Sequence, residues 1–330
     1  MPKENTITFI IAHELPTKKD IFIMLETSKF TDAVKKYYTS NEKVIDFYLE
    51  LLYEAKNNNL LDGNFISQMS DHDKTLHRLS ELLMFKYCLA SSTTEISSEN
   101  IGPDIIIQLD DIKINIEIIT PIKVSQKRSS MRVFNYTPYP SSEPSNYSVP
   151  QDIPDMNSLH PRITNALIKK SDKYREYLTD GIVSSDDVNI VCINIGFIEN
   201  VDLIDFPYLK NLFYKQEVIC IDIDNDSNVS HSIEDNDFNV MKENNTIYKT
   251  SYLDNEIYPH IDAVWLICCN DKNLDYIKKL KYNEFEMYKN IIYRNNESKV
   301  PESFLSTLCI NKPPRNSFND YIRENGKLPN

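Results

Sequence analysis

The residues in this 330-residue chain whose types and spacing could do chemistry together are three carboxylates and a pair of lysines. Asp104 stands in "IGPDIIIQL" and Glu117 in "IKINIEIITP", two Ile-rich runs separated by Asp110 and Asp111. A two-residue turn at those aspartates makes the runs an antiparallel hairpin with a fixed register. Leu109 then faces Ile112, Ile107 faces Ile114, Ile105 faces Ile116, and Asp104 faces Glu117. Side chains alternate across a strand, so Ile105, Ile107, Leu109, Ile112, Ile114, Ile116 and Ile118 share one apolar face. Asp104, Ile106, Gln108, Lys113, Asn115 and Glu117 share the other. Opposed side chains have Cβ atoms roughly 4.5 to 5.5 Å apart. Two carboxylates at that distance repel by about 3 kcal/mol at an effective dielectric of about 20. A divalent cation between them cancels the repulsion, and hard oxygen ligands on rigid strands suit Mg2+ or Mn2+. The alternative is that Asp104 ends a loop after Pro103 while Glu117 pairs at the surface with Lys113 or Lys123.

Two helices bear on the choice. In "HRLSELLMFKYCLA", 100° per residue puts Leu79, Leu82 and Leu83 on one side, while Met84, Phe85 and Cys88 surround Glu81 on the other. A helix apolar all round is buried, so Glu81 needs a partner, either Arg78 three residues earlier or a site. In "PRITNALIKKSDKYREY" the apolar stripe Ile163, Ala166, Leu167, Tyr174 and Tyr177 also contains Lys170. A lysine in such a stripe snorkels to solvent or projects into a site. Lys169 falls on the outward side of the same turn.

The elements that must position these residues are uneven along the chain. Phe30 to Leu61 has helical spacing, with Ser40 or Asn41 as N-cap before "EKVIDFYLELLYEA", and Asp73 to Ala90 is a further helix. After the hairpin, residues 122–160 are rich in Pro, Ser and Tyr. Repeated prolines forbid a helix and interrupt a central strand, so a long binding loop or lid is expected. The next helix has Pro161 near its start and Gly181 where a C-cap belongs. Strands are predicted at Val188 to Ile195, Glu217 to Asp224 and Ala263 to Cys269. Beyond Asp271 the chain reads as helical at first, then polar and interrupted by proline. The resulting division is a helical N-terminal extension (1–72), an α/β core (73–270) carrying the loop 122–160, and a C-terminal appendage (271–330).

Composition narrows the function classes. A formal charge of -13 argues against coating nucleic acid by bulk electrostatics, which needs clustered Lys and Arg. A local basic groove remains open, because Lys123 to Arg175 holds nine Lys/Arg against four Asp/Glu. Five of the six cysteines lie in apolar runs and read as buried free thiols of a reducing compartment, and no CxxC pair or Cys/His cluster has zinc spacing. The apolar stretch near the start is too short for a signal peptide or a membrane span. A cytoplasmic protein without a membrane segment is expected, or one exported by a route that needs no such signal.

The succession of the Glu81 helix, "GPD" with Asp104, "IEI" with Glu117 closing a hairpin, a basic amphipathic helix and a strand resembles the PD-(D/E)xK nuclease-like superfamily, the restriction-endonuclease-like fold. It is closer still to uncharacterised bacterial members that pair a "PD" strand with "IEA-x-x-P" and an "R-I-x-x-A-x-x-x-K" helix, here "IEIITP" and "RITNALIKK". The resemblance covers about Lys74 to Ile195. It implies an α-β-β-β-α-β core with a mixed central sheet flanked by helices. It also implies Mg2+ or Mn2+ held by Asp104, Glu117 and the Ile118 carbonyl, with Glu81 nearby. The family's lysine normally stands two residues after the glutamate, where this chain has Ile119. Some members carry it on the following helix, which implies Lys170, with Lys173 second. The implied activity is metal-dependent hydrolysis of DNA or RNA, contacted by Arg162, Lys169, Lys127 and Arg128, with tyrosines of the loop stacking on unpaired bases. The competing reading is an inactive scaffold used as a binding module, effector-like or antitoxin-like, with a protein partner on the loop 122–160.

Overall fold

Runs such as "VNIVCIN" and "AVWLI" are apolar at every position, so both of their faces must be covered, as in strands at the centre of a sheet with helices on each side. The computed structural model has this arrangement. It describes residues 18–38, 41–89, 95–99, 101–122, 124–134, 146–201, 204, 209–223, 229–236, 239–241, 247–251, 253, 258, 260–274, 289–295 and 297–313. In chain order the elements are α1 (Lys18–Lys35), α2 (Glu42–Asn57), α3 (His72–Leu89), β1 (Glu95–Ser97), β2 (Ile105–Leu109), β3 (Ile112–Ile119), β4 (Gln126–Phe134), β5 (Asn146–Pro154), α4 (Met156–Thr179) and β6 (Val188–Asn194). They continue as β7 (Gln216–Ile223), β8 (Val229–Asn236), β9 (Asn239–Met241), β10 (Ile247–Lys249), β11 (Ala263–Ile267), β12 (Asn290–Arg294) and α5 (Glu302–Thr307).

A six-stranded mixed sheet runs in the order β1-β2-β3-β6-β11-β12. Strands β3, β6 and β11 are parallel neighbours, while β1 and β2 at one edge and β12 at the other run antiparallel to theirs. The period of two sorts β6 between two cores: Val188, Ile190 and Cys192 pack with α1, α2, α3 and α5, and Val191, Ile193 and Ile195 pack with α4. The β2–β3 register is the one the Asp110–Asp111 turn dictates, Leu109 with Ile112 through Ile105 with Ile116. Asp110 has φ 51°, the left-handed conformation that such a turn needs and aspartate tolerates. The apolar hairpin face packs on α3, with Ile105, Ile107, Ile114 and Ile116 all 0% exposed.

Several expectations change. Residues 122–160 are not one long loop. β4 and β5 form a two-stranded hairpin paired from Gln126 with Pro154 to Phe134 with Asn146. Pro150 and Pro154 are tolerated there because both strands are edges and their missing N–H groups break no central ladder. Helix α4 begins five residues before Pro161, at Met156, where the Asp155 side chain accepts from Asn157 N at 3.2 Å. A strong N-cap has prevailed over the preference of proline for the first helical position. The end of α4 is as expected: Gly181 has φ 69°, Ile182 N donates to Tyr177 O at 2.9 Å and Gly181 N to Leu178 O at 3.3 Å, which is a Schellman cap. Asn41, one of the two candidates, caps α2 and accepts from Val44 N.

The run "EVICIDI" does form a strand, β7, but among the described residues it pairs with β8 alone and not with the central sheet. Ile221 and Ile223 are therefore exposed and Cys220 is half-buried, whereas Cys88, Cys192, Cys268 and Cys269 are buried free thiols. The segment after 270 supplies more than an appendage, since β12 is a strand of the central sheet. The helical stretch expected after Asp271 lies largely outside the described residues. Among the described residues no helix is long and apolar enough to cross a membrane.

Two predictions arise from this packing. Gly196 follows β6 where the backbone of Cys269 approaches so closely that a Cβ would lie 2.2 Å from the Cys269 carbonyl oxygen. Asn194 Oδ1 locks the approach by accepting from Gly196 N at 3.0 Å and Cys269 N at 2.9 Å. Gly196→Ala is expected to destabilise by about 2 to 4 kcal/mol, read as a lower urea midpoint at unchanged slope. An unchanged midpoint would mean that the two backbone segments part freely.

The second concerns His160, 4% exposed on α4. Burial pushes its imidazole down to about 4, against a smaller opposing influence of Asp155. The unfolded chain takes up a proton near pH 6.5 and the folded one does not, so stability is complete above about pH 6.5 and falls as pH drops toward 4, by about 3 kcal/mol in all. His160→Gln should flatten this part of the stability–pH profile, and the same slope in the variant would assign the loss to other groups.

Candidate active site

The polar face of β2–β3 turns toward α4. Asp104, just ahead of β2, accepts from Ile118 N at 2.7 Å through Oδ2, so the carboxylate continues the pairing of the hairpin and is fixed to β3. Glu117 lies inside β3 between β2 and β6, with its side chain 0% exposed. A carboxylate so placed needs compensating charge, and α4 supplies it. Lys170, Lys173, Tyr174 and Tyr177 are spaced i, i+3, i+4 and i+7, hence on one helical face. The ammonium of Lys170 hydrogen-bonds Glu117 Oε2 and stands 3.3 Å from Asp104 Oδ2. Lys173 Nζ is 2.8 Å from Glu117 Oε1. The Tyr177 hydroxyl lies 3.0 Å from Glu117 Oε1 and 2.5 Å from the Gly102 carbonyl. The Tyr174 hydroxyl, 2.9 Å from the Asn115 carbonyl and 2.8 Å from that of Ile190, seats the helix on β3 and β6.

The charges are interdependent. Burial alone would raise Asp104, but Lys170, Lys173 and the Ile118 N–H outweigh it and hold the carboxyl below its ordinary value. Glu117 is raised, by burial first and by the neighbouring Asp104 second, with the two lysines offsetting only part. Burial disfavours the Lys170 ammonium, yet Asp104 and Glu117 more than compensate and raise it.

Glu81 satisfies both alternatives the sequence leaves open. It pairs with Arg78 at 2.5 Å, and it lines the same cavity as Asp104. Burial, and then Asp104, push its carboxyl up to about 7 against the pull of Arg78. The cavity has a volume of about 970 Å3. Its basic side chains are Lys74, Arg78 and Lys173. The expected substrate contacts Arg162, Lys169 and Lys127 are exposed and do not line it. For Arg128 only the backbone, paired with Asp152, is described. Tyr177 escaped the sequence reading as a site residue, although it shares the stripe of Lys170 two turns away.

The donor set bears on the implied metal. Asp104 and Glu117 aim Oδ2 and Oε2 at a single cation, here the ammonium of Lys170, and both are hard oxygen donors on a rigid hairpin, which fits Mg2+ or Mn2+. Among the described residues no group of three or more His, Cys, Asp or Glu side chains is arranged to hold a metal, and Glu81 is occupied by Arg78. A divalent cation there would be held by two carboxylates, a set that suits Mg2+, which keeps several waters of its own. Ile118 contributes its N–H to Asp104. Comparison with protein-family models, with curated proteins and with solved structures finds no match, so what the chain does is inferred from the residues of this site.

Proposed function

We propose that the chain is a metal-dependent phosphodiesterase acting on DNA or RNA, with Asp104 and Glu117 holding Mg2+ or Mn2+ and Lys170 as the lysine migrated to the following helix. The observation that carries this reading is the meeting of three residues from separate elements, with the Lys170 ammonium against both carboxylates. The order α3, β1, β2, β3, α4, β6, with β4 and β5 set apart as their own hairpin, supports the restriction-endonuclease-like assignment.

Bound there, the cation would polarise the phosphate and lower the pKa of a bound water. The chain's own residues do the remaining work. Lys170 stays charged beside the carboxylates and neutralises the negative charge that builds on the phosphoryl oxygens. Lys173 and Tyr177 both contact Oε1 of Glu117, while Lys170 holds Oε2, and together they fix the orientation of the carboxylate. Ile118 N–H holds Asp104 in line with it. The burial of Glu117 keeps bulk water from screening these charges.

One observation favours the second reading, an inactive scaffold serving as a binding module: the carboxylates are already compensated by two lysines, and Ile119, 6% exposed, is packed in the second core where the family's lysine normally stands. Incubation with labelled DNA and RNA, single- and double-stranded, in Mn2+ and in EDTA decides between them. Cleavage in Mn2+ that EDTA abolishes is expected. Intact substrates throughout, together with a melting temperature indifferent to Mn2+, would leave the binding module.

A further inference from the structure

We infer that the centre, read as above as a nuclease site, admits a single nucleic-acid strand or a nucleotide drawn out of a duplex, and excludes an intact duplex. This deepens the proposed function by naming its substrate class. Glu117 is fully buried, and the side chains of Asp104 and Lys170 are only 22% and 21% exposed. Of the three, Asp104 lines the cavity, beside Lys173 and Tyr177, while Glu117 and Lys170 lie behind that lining and contact these residues from within, so the centre is recessed and not a surface ridge. The lining is supplied by the connection between α2 and α3, with Asp62, Asn64, Phe65 and Gln68, and by the turn before Asp104, with Glu99 and Gly102. A duplex presents its phosphates on a convex surface too broad to reach such a recess, whereas enzymes with recessed sites act on single strands or on a flipped-out nucleotide.

The charge of the lining does not suit tracking of a phosphate backbone, single or double, so recognition falls on the base. Five acidic side chains, Asp62, Glu81, Glu99, Asp104 and Glu176, face three basic ones, and Arg78 is engaged by Asp62 at 3.0 Å and by Glu81 at 2.5 Å. A duplex is held by rows of free Lys and Arg along its backbone, and this lining offers no such row. It offers groups suited to the edge of a base. Among the described residues the side-chain amide of Asn64 and the ring of His77 hydrogen-bond nothing, and both face the cavity. His77 stands one turn before Glu81 on α3, within the electrostatic reach of Lys170 and Asp104. The helical N-terminal part of the chain is thereby assigned part of the lining of the substrate pocket.

The test measures binding and cleavage separately on the full chain. Fluorescence anisotropy in EDTA compares a short single-stranded oligonucleotide, as DNA and as RNA, with its blunt duplex. The single strand should bind about tenfold tighter or better, and Asn64→Ala and His77→Ala should each weaken it about fivefold. Circular dichroism of both variants shows that they are folded. A duplex bound as tightly as the single strand, or a single-strand affinity untouched by both folded variants, overturns the inference. Hydrolysis in Mn2+ is scored in parallel with the same oligonucleotides and with bis(4-nitrophenyl) phosphate, a phosphodiester without a base. If every one of these stays intact while the single-strand preference holds, the nuclease reading fails and the pocket does not.

Discussion

Lys170→Ala should slow hydrolysis by about 10²- to 10³-fold, the cost of removing one preorganised charge from a transition state, while enlarging the protein's response to Mn2+. The two effects have one cause. In the wild type the Lys170 ammonium lies against Glu117 Oε2 and 3.3 Å from Asp104 Oδ2, so a divalent cation competes with it for the same oxygens. Without the ammonium, Lys173 is left to offset alone a repulsion between the carboxylates of about 3 kcal/mol at an effective dielectric of about 20, and the protein without metal should melt at a lower temperature. Mn2+ bound by the folded state alone would restore the loss, so the rise in melting temperature with Mn2+ should exceed that of the wild type. Lys312→Ala, which breaks a surface ion pair with Glu302, is the control and should change neither readout. Activity within a few-fold of wild type would remove Lys170 from the chemistry. A Lys170→Ala protein that Mn2+ does not stabilise would remove the metal from the carboxylates.

The hairpin carrying Asp104 and Glu117 was legible because its register is fixed locally: two turn residues and a strict alternation leave one way to pair ten residues. Lys170 was legible for a related reason, since a charge inside an apolar helical stripe must be explained by a partner. Lys173, the second candidate, belongs to the same face, and so does Tyr177, but nothing in the sequence distinguishes a tyrosine aimed at a carboxylate from one that packs. Glu81 shows where a choice between two partners misleads, because it keeps the local ion pair with Arg78 and the electrostatic company of Asp104 together.

Elements decided by tertiary contacts were harder to see. β1, with Glu95 and Ser97 exposed on the sheet edge, has no apolar period of its own and forms only because β2 offers a partner. β5 contains two prolines and still pairs, because a two-stranded hairpin asks less of each N–H than a central strand does. The run around Cys220 is apolar enough for a core, yet among the described residues β7 pairs only with β8, and Ile221 and Ile223 are exposed. The segment 60–68 carries no periodicity, and its place in the cavity that Asp104 also lines depends on how α2 and α3 pack.

Glu117→Gln should destabilise the protein more than Asp104→Asn does, although both remove one negative charge from the same pair. Repulsion between opposed carboxylates, taken alone, predicts that Asp104→Asn raises the melting temperature in the absence of metal. The lysines reverse that expectation. In Asp104→Asn the amide oxygen can still accept from Ile118 N, and Glu117 keeps both ammonium groups. In Glu117→Gln two lysines converge on a fully buried neutral amide with Asp104 as the remaining carboxylate among their contacts. Removing one partner of a buried pair costs about 3 to 5 kcal/mol. The Lys173 side chain is 39% exposed and can turn toward water, so about 2 to 3 kcal/mol is expected here. The Tyr177 hydroxyl keeps an acceptor if the amide oxygen takes the Oε1 position, but the amide NH2 then faces the Lys170 ammonium, so a lost hydrogen bond adds to the lost charge. Urea unfolding of both variants without metal checks the order. If Glu117→Gln is as stable as the wild type, the lysines do not hold the buried carboxylate, and the ion-pair cluster at the centre of the proposed site is not formed in solution.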